Sequence, residues 1–282
     1  MTKQILTQDE LKRIASTGEE RVRRVETRAG AVWVKRAAAK SLHIGHYLQL
    51  LATLALPGTI YRPSPAEYGD AATRGETDRM RAFQAKGLIT PDILYQGDGV
   101  MVLSDVGATV EHQMYEARKA GDADTHDRLL LLFGAGMAEM TGAGLVHGRP
   151  HPRDCFVQEG RLGFMDFEQN PLAGMSLDNA QARDALFAFG FVCDLAMKSE
   201  TPDRAFDAWI GAAPPSAVNA LRRVLRQVKP LVTAAGFALR IHAGSDLRRF
   251  VAGATFLSKK LGVSAPALQP QTKASLKPSD RA

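Results

Sequence analysis

The stretch His147-Gly148-Arg149-Pro150-His151-Pro152-Arg153-Asp154-Cys155-Phe156-Val157 is followed, past the turn Glu159-Gly160, by Gly163-Phe164-Met165-Asp166-Phe167-Glu168. Upstream of it, Thr125 to Thr141 is apolar enough to form a long buried helix. Downstream of Asp154, short runs at Cys155 to Gln158 and Gly163 to Met165 flank the Glu-Gly pair, which predicts a hairpin. A buried helix, a polar loop led by histidine, a hairpin and then an Asp between apolar neighbours bring the loop and Asp166 side by side at the base of a cleft.

Working outward, the part before this segment is rich in strand signals. Arg24 to Thr27 and Ala31 to Lys35 read as strands joined by a tight turn at Ala29-Gly30, after a short helix from Gln8 to Ser16. Ile93 to Gln96 and Val100 to Leu103 are split by Gly97-Asp98-Gly99, a strong hairpin signal. Between these pairs lie an apolar helix over 42–56 and a second helix over 73–86, closed by Gly87. Beyond the segment, helices are expected at Asp178 to Met197, Pro202 to Ile210, Ser216 to Ala235 and Ser245 to Leu261. The expected fold class is therefore α+β with two lobes: a small strand-rich N-lobe (1–104), a larger helical C-lobe (105–264) and a Pro-, Ser- and Lys-rich disordered tail (265–282).

Composition narrows the functional classes. Hydrophobic residues at 45% and charged residues at 23% are ordinary for a soluble globular protein with a buried core. No opening stretch reads as a secretory signal, and 42–56 is too short to span a bilayer, so the expected location is cytoplasmic, with a peripheral inner-membrane contact through 42–56 as the sharper reading of that apolar helix. Its alternative is a helix packed against the N-lobe. Cys155 and Cys193 lack metal-ligand spacing, and His43 with His46 has no further ligand nearby. A net charge of +6 suits nucleotides or anionic lipid, but neither a zinc-finger nor an aromatic RNA-binding signature accompanies it, so nucleic acid is not expected as a partner.

The loop and the Asp-Phe-Glu carry a resemblance. The pattern is similar to the protein-kinase-like superfamily, in its atypical bacterial branch of lipopolysaccharide-core and Kdo kinases and Bud-type kinases, whose loop resembles His-Gly-Asp-x-His-Pro-x-Asn followed by Asp-Phe-Glu. His147, Gly148, His151, Pro152 and Asp166-Phe167-Glu168 match. Arg149 stands where the family places its catalytic Asp, and Asp154 where it places a metal-binding Asn. The resemblance implies an ATP- and Mg²⁺-dependent phosphotransferase in which Asp166 and Asp154 hold the metal and His147 and His151 shape the loop. Lys35, ending Val32-Trp33-Val34-Lys35, would pair with Glu76 behind the phosphates. Asp105, in Leu103-Ser104-Asp105-Val106-Gly107, falls at the implied hinge, where it would hold a ribose hydroxyl or cap the next helix. Asp184 falls where the family buries an Asp against the loop.

Two features bear on activity. Arg149 cannot serve as a base near neutrality, although phosphoryl transfer depends mostly on positioning and charge, and a guanidinium could stabilise the transferred phosphate. The turn before Ala31 is also too short for a glycine-rich phosphate loop. The expectations are thus a phosphotransferase acting on a sugar, lipid-linked sugar or protein acceptor, or an inactive pseudokinase serving as a binding or regulatory module. Nucleotidyl transfer is a variant of the first.

Overall fold

The computed structural model describes residues 5–37, 67–238 and 244–263. The expected apolar helix 42–56, with the membrane contact assigned to it, and the tail 265–282 lie outside the described residues.

Helix α1 (Gln8–Ser16) begins at a reciprocal cap: Thr7 Oγ1 accepts from the Glu10 amide at 3.3 Å, and Glu10 Oε2 accepts from the Thr7 amide at 2.8 Å. Its apolar Leu11 and Ala15 are buried on a four-stranded antiparallel sheet of order β1-β2-β4-β3. The strands are β1 (Val22–Thr27), β2 (Gly30–Arg36), β3 (Ile93–Gly97) and β4 (Val100–Ser104). The turn between β3 and β4 uses Asp98 (φ 53°) and Gly99 (φ 71°), both in the left-handed region that a two-residue hairpin of this twist requires.

Alternation along the strands sorts the sheet's two faces. Val32, Val34, Val100 and Val102 pack with Leu11 and Ala15 under α1. Met101 and Leu103 face the other way and join the main core with Met80 and Phe83 of α2 (Gly69–Ala85). Trp33 and Lys35, on the same strand and alternating with the valines, therefore look towards the rest of the molecule. Helix α2 buries Thr73, Glu76, Thr77, Met80 and Phe83, the stripe expected of a helix resting on a core. It starts four residues earlier than its composition suggests. The reason is tertiary: the Asp70 carboxylate accepts from the Gly99 amide in the β3–β4 turn and fixes the first turn of the helix against the sheet.

After β4 the chain is mainly helical: α3 (Val110–Lys119), α4 (Ala123–Gly142), α5 (Leu177–Leu195), α6 (Thr201–Ala212), α7 (Pro215–Ala238) and α8 (Ser245–Lys260). Thr109 and Asp122 cap α3 and α4 through their side chains. Helix α4 runs through the centre of the core with Leu130, Phe133, Met137 and Met140 buried. The hairpin β5 (Cys155–Gln158) and β6 (Arg161–Phe164) interrupts the helices as expected, one or two residues earlier at β6 than its sequence suggests. The Phe164 amide donates to Ile89 O at 2.8 Å, which ties this hairpin to the segment leading into β3. The protein is thus an α+β structure in which a small antiparallel sheet precedes a helical region. Among the described residues no helix is long and apolar enough to cross a membrane.

Candidate functional site

Lys35 is the centre of the site. Its Nζ lies 2.7 Å from Glu76 Oε1 on α2, 2.5 Å from Asp166 Oδ1 after β6, and 3.0 Å from Glu168 Oε1. One ammonium on β2 therefore joins carboxylates from two other parts of the chain. Burial would pull the Lys35 ammonium down in pKa, but Glu76, Asp166 and Glu168 outweigh that and hold it above its ordinary value. For Glu76, burial is the larger effect, and its carboxyl sits above the usual range despite Lys35. Burial also acts to raise Asp166, but Lys35, with Arg149 behind it, keeps that carboxyl lowered and ionised.

The segment carrying Asp166 is held from several sides. Asp166 has φ 65°, a left-handed conformation that costs a non-glycine residue about 1 kcal/mol. The Met165 amide donates to Asp154 O at 2.9 Å, and Arg79 Nε of α2 donates to Phe167 O at 2.9 Å. The Phe167 ring is fully buried, edge-on to Phe83 at 4.6 Å and beside the His147 imidazole at 5.0 Å. These contacts fix the backbone on both sides of Asp166 and explain how an unfavourable φ persists there.

His147 is buried and its pKa is pushed down to about 4 by desolvation, so the ring is neutral near pH 7. Its Nε2 lies 2.9 Å from Met165 O, which requires the proton on that nitrogen. His147 thus holds the residue next to Asp166 and is a positioning residue. The loop it begins is braced from α5: Asp184 Oδ2 accepts from the His147 amide at 2.7 Å and from the Gly148 amide at 3.0 Å. Asp184 is fully buried, and desolvation raises its carboxyl to about 6. Gly148, at φ 98°, is packed so that a Cβ would sit 2.8 Å from Gln169 O, so glycine is required on both counts.

Asp154 ends a short 3₁₀ turn (Pro152–Asp154) at the foot of the same loop. Burial, and then the charge of Asp166, raise its carboxyl to about 6. Its Oδ1 is 3.4 Å from Arg153 Nε, while its buried Oδ2 has no hydrogen-bond partner among the described residues. Arg149 is half-exposed and places a guanidinium nitrogen 3.8 Å from Asp166 Oδ2.

Lys35, Glu76, Asp166, Asp154, Arg149 and His147 are therefore brought together. Asp105 is not part of this cluster. Its Oδ1 accepts from Trp33 Nε1 at 2.9 Å and from the Gly107 amide at 3.3 Å, and its Oδ2 from Arg24 at 3.1 Å. The hydrogen bond from Trp33, foremost among these, lowers its carboxyl. The helix cap expected of Asp105 is supplied instead by Thr109, two residues past the glycine that Asp105 holds. Glu168, to which the motif gives no role, reaches Lys35 and also pairs with Arg21. Its position two residues after Asp166 was the available signal.

No family model matches the chain. A Haemophilus influenzae protein described as uncharacterized is 30% identical over 105 residues, which is 36% of this chain and 41% of that protein. The chain thus matches less than half the length of that relative.

Proposed function

We propose that the protein is an ATP- and Mg²⁺-dependent phosphotransferase with a two-lobed, kinase-like arrangement, acting on a sugar, lipid-linked sugar or protein acceptor. The observation that carries this reading is the Lys35 ammonium, buried between Glu76 of α2 and Asp166 of the segment after β6. In phosphoryl transfer such a lysine anchors nucleotide phosphates while the helix carboxylate fixes its position. Asp166 and Asp154 fit a magnesium ion: both offer hard oxygens, and Asp154 Oδ2 is a buried acceptor without a protein partner. No third metal-ligating side chain accompanies them among the described residues, so phosphate and water would have to complete the ion's shell. Bound there, the metal would supply neutralisation of phosphate charge.

The chain's own groups divide the remaining work. Lys35 binds, Glu76 orients Lys35, and His147 with Asp184 fixes the loop backbone. Arg149 stands over Asp166, where it can accept no proton but can stabilise negative charge on the transferred group. In the transfer, the acceptor oxygen bonds to the γ-phosphorus and the bond to the β-phosphate oxygen breaks. ADP leaves with that electron pair, and the hydroxyl proton passes to phosphate or water.

A second reading, an inactive binding module, is favoured by two observations. Arg149 replaces a base, and the β1–β2 connection is only Arg28-Ala29, too short to wrap phosphates with backbone amides.

A thermal-shift titration with ATP, with and without Mg²⁺, tests the nucleotide site on which the first reading depends, and transfer of labelled γ-phosphate then separates it from the second. At a hundredfold excess over Kd, binding to the folded state alone raises the Tm by about 5 °C. The rise should require Mg²⁺ and vanish in Asp166→Ala and in Asp166→Asn; asparagine tolerates the left-handed backbone and so guards against a mere folding defect. No rise at millimolar ATP, or a rise that survives both substitutions, would refute the site.

A further inference from the structure

On the helical side of the His147 loop lies an open cleft of about 660 Å³ that the phosphotransferase reading leaves unused. Four arginines line it, Arg149, Arg153, Arg183 and Arg249, against one aspartate, Asp246. They come from three separate parts of the fold: the loop, α5 and α8. Arg183 is almost fully buried and donates to Gly148 O, so its position is set by the protein rather than by solvent. Arg249 is held through Nε by Asp194 at 3.3 Å, and its guanidinium lies 4.8 Å over the Phe191 ring. Asp246, 3.5 Å from Arg249, is 97% exposed, where water screens its charge. His151 adds no charge at neutral pH: burial, with Arg153, Arg249 and Arg149 around it, pushes it down to about 3.

The packing of α8 explains how Arg249 and Phe250 reach the cleft. A Cβ on Gly253 would sit 2.6 Å from the Gly190 amide nitrogen, and one on Gly190 would sit 2.9 Å from Arg249 O. The two helices thus touch backbone to backbone, which only paired glycines permit. Close approach of α8 is what completes the basic wall. Partly buried Phe191 and Phe250 give the cleft an apolar surface beside that wall. Two guanidinium forks held in place, Arg183 and Arg249, with the half-exposed Arg149 and Arg153 beside them and aromatic faces adjacent, suit an organic oxyanion.

We propose that this cleft binds the phosphate monoester of an acceptor that already carries negative charge, with its hydroxyl directed past Arg149 to Asp166. Arg149 makes the link, since it lines the cleft and lies 3.8 Å from Asp166 Oδ2. The orientation towards Asp166 rests on the phosphotransferase reading; the anion binding does not.

The test is calorimetric titration of the full chain, free of nucleotide and metal, with glucose 6-phosphate, glucose and a short-chain phosphatidate. Wild type should bind a phosphate monoester and not glucose. Arg249→Gln and Arg153→Gln should each weaken binding about tenfold, the loss of one charge-assisted contact. Arg223→Gln, an exposed arginine on α7, should change nothing. If Arg249→Gln fails to fold through loss of its Asp194 contact, the exposed Arg153 decides. Binding of glucose 6-phosphate identifies a soluble sugar phosphate, and binding of phosphatidate alone identifies a lipid headgroup; either supports the cleft. Binding of neither, equal binding of glucose, unchanged affinity in Arg153→Gln, or displacement of the bound monoester by Mg–ATP would each overturn it. If Mg–ATP raises the Tm while no monoester binds, the cleft inference fails and the phosphotransferase reading stands. If a monoester binds and Mg–ATP does not, the reverse holds.

Discussion

Asp184 offers the sharpest test of how the loop is held. Its carboxylate is fully buried and accepts from the backbone amides of His147 and Gly148. Asp184→Ala leaves both amides buried without an acceptor, at about 2 kcal/mol each, so a loss of about 4 kcal/mol is expected. Asp184→Asn keeps one oxygen able to accept from both amides, as Oδ2 does, but buries an NH₂ in place of Oδ1, which lies 3.2 Å from the Gly148 amide, for a loss of about 2 kcal/mol. The pH dependence is more discriminating. The folded-state carboxyl is raised to about 6 against an ordinary value of 3.8, so its stabilising contribution is full at low pH and is lost as pH rises through 6. Between pH 7 and pH 5 wild type should therefore gain about 1 kcal/mol that Asp184→Asn cannot gain. His147 and His151, lowered to about 4 and about 3, act in the opposite sense: they stabilise above the ordinary histidine value and cease to do so as pH falls. That background is common to both proteins and cancels in the difference. Urea unfolding at the two pH values measures it. A gap between wild type and Asp184→Asn that stays constant or narrows on acidification would refute the buried-carboxylate argument.

Other substitutions probe separate parts of the structure. Lys35→Met strips the buried Glu76 of its cation and should cost about 3 kcal/mol in urea unfolding; Lys35→Met with Glu76→Leu should recover most of it, and no recovery would mean that the pair is not the source. Gly253→Ala drives a methyl into the Gly190 backbone and should cost about 2 kcal/mol by the same measurement. Gly211→Ala in α6, where a Cβ meets nothing within 4 Å, should stabilise by about 0.5 kcal/mol, so similar effects from the two would contradict the close helix contact.

How legible these features are in the sequence follows from the range over which they are decided. The hairpin turns at Asp98-Gly99 and Glu159-Gly160 draw on Asp98, Gly99 and Gly160, which tolerate a left-handed backbone, and that preference is local. Helix α4 and the helices after it announce themselves through length and apolar content. The meeting of Lys35 with Glu76, 41 residues apart, is implied by the kinase-like resemblance rather than by either residue's own neighbourhood, since the same helix also offers Asp70 and Asp78. Other features are settled across the fold. The early start of α2 depends on Asp70 finding the Gly99 amide. Asp105 is adjacent to a glycine turn and reads as a cap, yet Trp33, 72 residues away, claims its carboxylate. The basic cleft needs Gly190 and Gly253 to meet, and neither glycine carries any mark of that in its own neighbourhood.

The crowding of Glu76, Asp166 and Glu168 around one lysine has a consequence for the sequence of ligand arrival. Three carboxylates around a single ammonium leave a surplus of negative charge at Lys35, which Arg149, 3.8 Å from Asp166, and Arg21, paired with Glu168, cover only in part. Under the proposed phosphotransferase reading, a polyphosphate tail entering by itself would be repelled by these carboxylates. A divalent cation reverses that repulsion, whether it comes first or travels with the tail. If the proposed reading holds, affinity for a nucleotide and affinity for the ion rise together, each increasing the other by the same factor.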